Sequence, residues 1–307
     1  MKNALVPVAL LLSACARPVS ATAPALPAPV PGFWAHWSDN KAEMNGYRLA
    51  QPRYGALRRG TAALVFVTEP FSDALRVKAD PGRHPEADVY PVLKLNAVRD
   101  FQTGIYDYNV MTSVFVRVAE GWPVAKVSFS SQEWCGHVYH QLLPGPGRAT
   151  GVLHSYFDGE ADRTEELSLP DGGVFQDALP ILVRVWGGEY LKAGETRGVP
   201  YLPSLLSRRL AHKPLAWGRA TLSRSAQAST LTVPAGAFRV STWSVAEEGG
   251  ATTRYAVEVA LPHRLIRVSS DAGEQLELLG STRLPYWQLN GPGGEKHLRE
   301  LGLPVPR

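Results

Sequence analysis

Apolar and polar residues alternate along much of this chain. Residues 123–129 set Val127 and Phe129 on one side and Lys126 and Ser128 on the other. Residues 254–259 set Tyr255, Val257 and Val259 against Arg254, Ala256 and Glu258. One buried and one solvated face per strand is the mark of an antiparallel sheet. Similar runs predict strands at 43–49, 61–68, 152–157, 164–169, 215–223, 229–233, 237–246, 265–269 and 274–279. The run 92–118 is long enough for two strands bent at Gly104. Turns fall at Glu120-Gly121-Trp122-Pro123, Asp158-Gly159, Gly249-Gly250 and Asp271-Ala272-Gly273. The period changes once: Phe175, Leu179, Leu182, Val183 and Trp186 recur at helical spacing over 174–186. Pro180 implies a kink or late start there, and Gly187-Gly188 a stop. Shorter helices are expected at 201–210 and 295–301. About a dozen strands and one or two helices predict a mainly β fold, one large curved antiparallel sheet with covering helices.

The densest chemistry lies in 101–140, read as the central hairpin of that sheet. Cys135 stands two residues from His137, and a thiolate–imidazole pair would make a nucleophile. Cysteine is also among the most buried residue types, and the packing role is the stronger reading. Gln102, Tyr106, Asp107 and Trp134 are candidate ligand-binding residues, and the inward residues of the stretch are expected to shape the core or the wall of a hollow. Cys135, His137 and His140 do not make a metal set, because on one strand His140 points away from the other two. No cofactor, metal or established catalytic motif is read from the sequence.

The 307 residues are 45% hydrophobic and 20% charged, with a net charge of +4. That is ample for a core and too little charge to argue for nucleic acid, and no basic stripe with interleaved aromatics appears. The chain has two cysteines, Cys15 and Cys135.

The N-terminus carries Lys2, an apolar run over 4–12, and then Leu12-Ser13-Ala14-Cys15. This resembles the bacterial lipoprotein signal and its lipobox. The resemblance implies a signal peptide at 1–14, cleavage after Ala14, and acylation of Cys15, which anchors the chain to a membrane. With Cys15 acylated, no intramolecular disulfide remains possible. Ala16, in place of an acidic residue, points to the periplasmic face of the outer membrane. Residues 15–32 form an Ala/Pro-rich tether, and 33–307 a single β-rich domain.

Thr232-Val-Pro-Ala-Gly-Ala-Phe238, followed by RYAVEVALPHRLIRVSS and GEQLELLG, resembles periplasmic bacterial proteins whose folds look like the lipoprotein carriers LolA and LolB. The resemblance covers about 215–285. It implies a half-barrel bent around a helix, with an apolar hollow that holds acyl chains. The leading expectation is therefore a non-enzymatic, membrane-anchored lipoprotein that binds or carries an apolar ligand such as a lipid. Two alternatives stay open: an envelope assembly component acting through protein contacts, and a thiol enzyme using Cys135 and His137.

Overall fold

The computed structural model describes residues 32–306; Cys15, the signal peptide and nearly all of the tether lie outside them. The chain enters through a short helix α1 (Phe33–Trp37). It then forms an eight-stranded meander: β1 (Ala42–Arg53), β2 (Ala56–Ser72), β3 (Val89–Thr103), β4 (Tyr106–Arg117), β5 (Val124–Glu133), β6 (Gly136–Pro144), β7 (Arg148–Ser155) and β8 (Arg163–Ser168). A central insert follows: β9 (Val174–Phe175), α2 (Leu179–Val185), α3 (Gly187–Tyr190), β10 (Thr196–Leu202) and α4 (Leu205–Ala211). The last third adds β11 (Gly218–Arg224), β12 (Ser229–Val233), β13 (Gly236–Glu247), β14 (Thr252–Glu258), β15 (Leu265–Ser270) and β16 (Gln275–Leu284).

These strands make one 16-stranded sheet in the order β8-β7-β6-β5-β4-β3-β2-β1-β16-β15-β14-β13-β11-β10-β9, with β12 paired to β13 alone. Pairing is antiparallel except between β9 and β10. The sheet is open, with β8 and β9 as its ends, so the fold is mainly β and barrel-like rather than a closed barrel. The first strand and the last are neighbours, Ala42 facing Leu284. Gly46 and Gly280 pair across that seam, and both lack a side chain for a reason. A 3-10 helix (Gly294–Leu301) lies directly on them, and an added Cβ at either would collide with the Leu301 or Glu300 carbonyl.

The sheet curls because its inner rows are apolar and must cover something. They cover α2, which is hydrophobic nearly all round, as a fully buried helix must be. Arg184 on α2 reaches β1 and β2: Nη2 donates to Glu43 at 2.9 Å and the guanidinium sits 4.3 Å over the Phe66 ring. Trp186, one residue beyond, faces Trp243 of β13 at 6.0 Å. The insert thus touches both arms of the sheet and fills its middle.

The expected helix over 174–186 is broken into β9, a 3-10 turn (Gln176–Ala178) and α2, and Gly187-Gly188, expected as a stop, instead opens the short helix α3. Pro180 explains the late start, since a missing N–H is tolerated only in a first turn. The strand count is larger than the dozen expected. The run 201–210 divides between the end of β10 and α4, and β10 escaped notice because Gly198 and Pro200 interrupt its pattern.

The meander gives the molecule two distinct ends. The β1–β2, β3–β4, β5–β6 and β7–β8 turns lie at one end with the β13–β14 and β15–β16 turns; this is the tip end. The β2–β3, β4–β5 and β6–β7 connections lie at the other, the root end. There α1 enters, with Phe33 at 5.2 Å from Trp122 of the β4–β5 connection.

Candidate functional site

On β3 the inner row runs Leu95, Ala97, Arg99, and on β16 the row Leu278, Leu276 continues outward to Glu274. The β3 row carries one charge, Arg99, between Ala97 and buried Phe101, and the β16 row turns from apolar to charged at the tip end. Three strand spacings separate β3 from β16, about 14 Å on a flat sheet. Arg99 Nη2 nevertheless meets Glu274 Oε1 at 3.0 Å, because the sheet curls.

Helix α4 roofs the space below this ion pair. Its first turn is capped three ways. Ser204 Oγ accepts from Ser207 N–H at 3.0 Å, Gln176 Oε1 from Ser204 N–H at 2.8 Å, and Asp177 Oδ2 from Leu205 N–H at 2.9 Å. At its far end Arg53 Nη1 donates to the Leu210 carbonyl at 2.7 Å, and buried Arg209 meets buried Glu133 at 3.4 Å. These contacts hold α4 over the tip end of the sheet.

A cleft of about 720 Å³ remains between α4 and the sheet. That size is ordinary for a small-molecule site. Ala97 on β3 is the small residue of its floor and leaves room beneath α4. Leu64, Leu95, Ala97, Val268 and Leu276 make its apolar floor. Arg99, Asp177, Tyr255 and Glu274 stand along its walls, with Gln51 buried at the back and its Oε1 unpartnered.

Asp177 and Tyr255 are both perturbed. Burial pushes the Asp177 carboxyl up to about 6, against the Leu205 hydrogen bond and the field of Arg99 and His140. Its second oxygen accepts no hydrogen bond from the described residues. The Tyr255 phenol is also pushed up, by burial first and then by the Glu274 and Asp177 carboxylates, and its hydroxyl has no partner among the described residues. The cleft therefore offers an acceptor at Asp177 and a donor at Tyr255 above an apolar floor. Ser204 and Ser207 are engaged in the α4 cap, so neither is a free nucleophile beside Asp177.

A second cleft, about 690 Å³, opens at the root end. Tyr90, Trp122, Phe175, Trp186, Tyr190 and Trp217 border it. The indole N–H groups of Trp122, Trp186 and Trp217 are buried there without acceptors among the described residues.

The residues singled out from sequence lie elsewhere. Gln102 is exposed and donates to the Gly104 carbonyl at 3.2 Å. Asp107 is exposed and accepts from Asn109 at 3.0 Å. Trp134 is exposed, with the half-buried Tyr106 ring at 6.3 Å. None of these four, expected as ligand-binding candidates, lines the cleft under α4. Cys135 is exposed as well, against the expectation of burial. It stands with Trp134 in the two-residue turn between paired Glu133 and Gly136, where no core can reach it. His137 is exposed on the outer face, while His140 is buried on the inner face with Nε2 at 2.6 Å from Glu165. Cys135, His137 and His140 thus do not converge. The groups that sequence reasoning passed over, Arg99, Asp177, Tyr255 and Glu274, are far apart in the chain. Their signal was a charge set within the apolar row of β3 and one just beyond that of β16.

No family model matches the sequence, and no curated protein matches it. Among solved structures, a beta-barrel-like protein of domain of unknown function DUF1849 from Brucella abortus is similar, with a TM-score of 0.47 at 10% identity. The match covers 79% of this chain and 98% of that one.

Proposed function

We propose that this chain is a lipid-anchored protein of the bacterial envelope, held through Cys15, whose body binds an amphiphile in the cleft under α4. The observation that carries the reading is the make-up of that cleft: an apolar floor of Leu64, Leu95, Ala97, Val268 and Leu276 below Asp177 and Tyr255, whose oxygens have room for a new partner. An alkyl or acyl segment would lie on the floor, where burial is worth about 0.8 kcal/mol per CH₂. A head group bearing a hydrogen-bond donor would meet Asp177, and an acceptor would meet Tyr255. An apolar ligand without a head group would leave both unpaired, which is costly in a desolvated site.

The test uses protein purified from its own membrane in mild detergent and read by native mass spectrometry. One bound amphiphile per chain is expected, and its loss in an Ala97→Trp variant that keeps the wild-type thermal melt. A body that carries no amphiphile, or an Ala97→Trp variant that carries as much as wild type, refutes the assignment. Acylation at Cys15 is tested in the same spectra: a Cys15→Ala chain should lack the mass of the acyl groups and leave the membrane fraction.

A further inference from the structure

Two-residue hairpin turns favour Gly, Asn, Asp and Ser, because those residues reach unusual backbone angles or hydrogen-bond locally. The turns at the tip end depart from this. Tyr54, in the β1–β2 turn, is 56% exposed, and Leu57 just beyond it 61%. Ile105 of the β3–β4 turn is 82% exposed, Trp134 of the β5–β6 turn 71%, and Tyr156 after β7 73%. Four consecutive hairpins at one end of the sheet thus each present a large apolar or amphipathic side chain to solvent. Ile105 and Trp134 make no side-chain hydrogen bond among the described residues, whereas the Tyr54 hydroxyl lies 2.9 Å from that of Tyr108 and accepts from Arg53 Nη2 at 3.0 Å. Tyr54 even takes a left-handed backbone (φ 52°) that glycine or asparagine would accept more easily.

The tips are also held in place. The Tyr156 ring lies on Gly136, where any Cβ would collide with it, and the Trp134 ring leans on Tyr106. Successive hairpins are two strand spacings apart, about 10 Å, so the four tips trace an arc of roughly 30 Å. Trp and Tyr, amphipathic rings with a polar edge, settle at the boundary between lipid and water. Charged side chains around the arc are of both signs, Arg58, Arg59 and Lys213 against Asp107, Asp158 and Asp162.

We infer that this arc is a membrane-docking rim that inserts Tyr54, Ile105, Trp134 and Tyr156 into the interfacial layer of a lipid bilayer. It goes beyond the cleft reading and does not need it. The cleft under α4 opens at the same end, bordered by Pro52, Leu210, Lys213 and Ala272, so docking would set its mouth against the lipid head groups. The mixed charge means that zwitterionic lipid suffices and that salt has little effect.

The experiment is flotation of the mature chain from residue 16 onward, which carries neither the signal segment nor an acyl anchor, with phosphatidylcholine vesicles at low and high salt. Co-flotation is expected, with binding weakened by at least about tenfold in an Ile105→Ser/Trp134→Ser/Tyr156→Ser variant. All three positions are solvent-exposed, so circular dichroism and the thermal melt should match the parent. Binding that survives the triple change refutes the rim, as does a parent that stays at the bottom of the gradient. A parent that sediments as a dimer and falls to a monomer on the triple change also refutes it, by assigning the tips to a second copy. The Ala97→Trp variant is expected to float like the parent, which separates failure of the cleft reading from failure of this one.

Discussion

Replacing Arg184 by Met tests what fixes α2 inside the sheet. Arg184 and Glu43 are both buried, and Glu43 Oε2 receives Arg184 Nη2 at 2.9 Å and lies 3.2 Å from His36 Nε2. Burial alone would raise the Glu43 pKa; the Arg184 charge and the His36, Arg184 and Asn45 hydrogen bonds outweigh it and lower the value from 4.5 to about 2. At 1.36 kcal/mol per pH unit, that is about 3 kcal/mol of stability. A lowered carboxylate pKa makes this contribution complete above pH 4.5 and removes it as pH falls towards 2. Without the guanidinium, Glu43 must stay charged and poorly paired, or bind a proton. Taking up a proton at pH 7 costs at most (7 − 4.5) × 1.36, again about 3 kcal/mol. The Arg184→Met change also leaves the His263 and Pro262 carbonyls without their Arg184 donors, at 2.9 and 3.1 Å in the wild type. Loss of 3–5 kcal/mol is typical when one partner of a buried pair is removed, so about 4 kcal/mol is expected at pH 7. Urea unfolding at pH 7.5 and pH 3 measures it. The penalty should shrink by at least about 2 kcal/mol at pH 3, where protonating Glu43 is cheap. The double variant Glu43→Gln/Arg184→Met should recover more than half of it at pH 7.5. A penalty below about 1 kcal/mol at pH 7.5, or one equal at both pH values, would show that the pair does not hold α2.

Asp177→Asn acts in the opposite sense. A folded pKa raised from 3.8 to about 6 means that stability is highest below pH 3.8 and falls as pH rises through 6. The Asn amide oxygen can still accept the Leu205 N–H, so the variant should gain up to about 3 kcal/mol over wild type at pH 7.5 and nothing at pH 3.5 in chemical denaturation. A variant less stable than wild type at pH 7.5 contradicts the burial argument. Gly46→Ala forces a methyl group against the Leu301 carbonyl and should cost about 2 kcal/mol in thermal or urea melts. A neutral result would mean that the 294–301 helix does not sit on the seam. Cys135 should react fully with iodoacetamide in the native protein, since its turn is open to solvent; protection until unfolding would refute that placement.

The strands of the last third were legible because each buries one face and solvates the other, so the period of two is written in residues such as Tyr255 and Val257. The same logic misled at 101–140. Alternation tells which face a residue occupies but not how near a turn it lies, and Trp134 and Cys135 belong to no face. Aromatics that read as a wall are tips. The interior was harder still. The expected hollow holds α2, and α2 could be found by its period, yet nothing local in the sequence says that it threads the sheet. Asp177 and Arg99 come together only once the sheet has curled. A charge set within the row Leu95, Ala97, Arg99, Phe101 was the available hint, and it needs a partner row to be interpreted.

The pairing of β1 with β16 sets the order of events when the chain is made. Ala42 meets Leu284, so the central strand of the sheet keeps one edge bare until nearly the whole chain has emerged. Contacts this distant in sequence close large loops late, and folding dominated by them is slow. Until then β1 exposes one long unsatisfied backbone edge, while β2 is already paired on both sides by β1 and β3. That bare edge in the middle of the sheet is where two unfinished chains would pair with each other, and β16 is the strand that removes it.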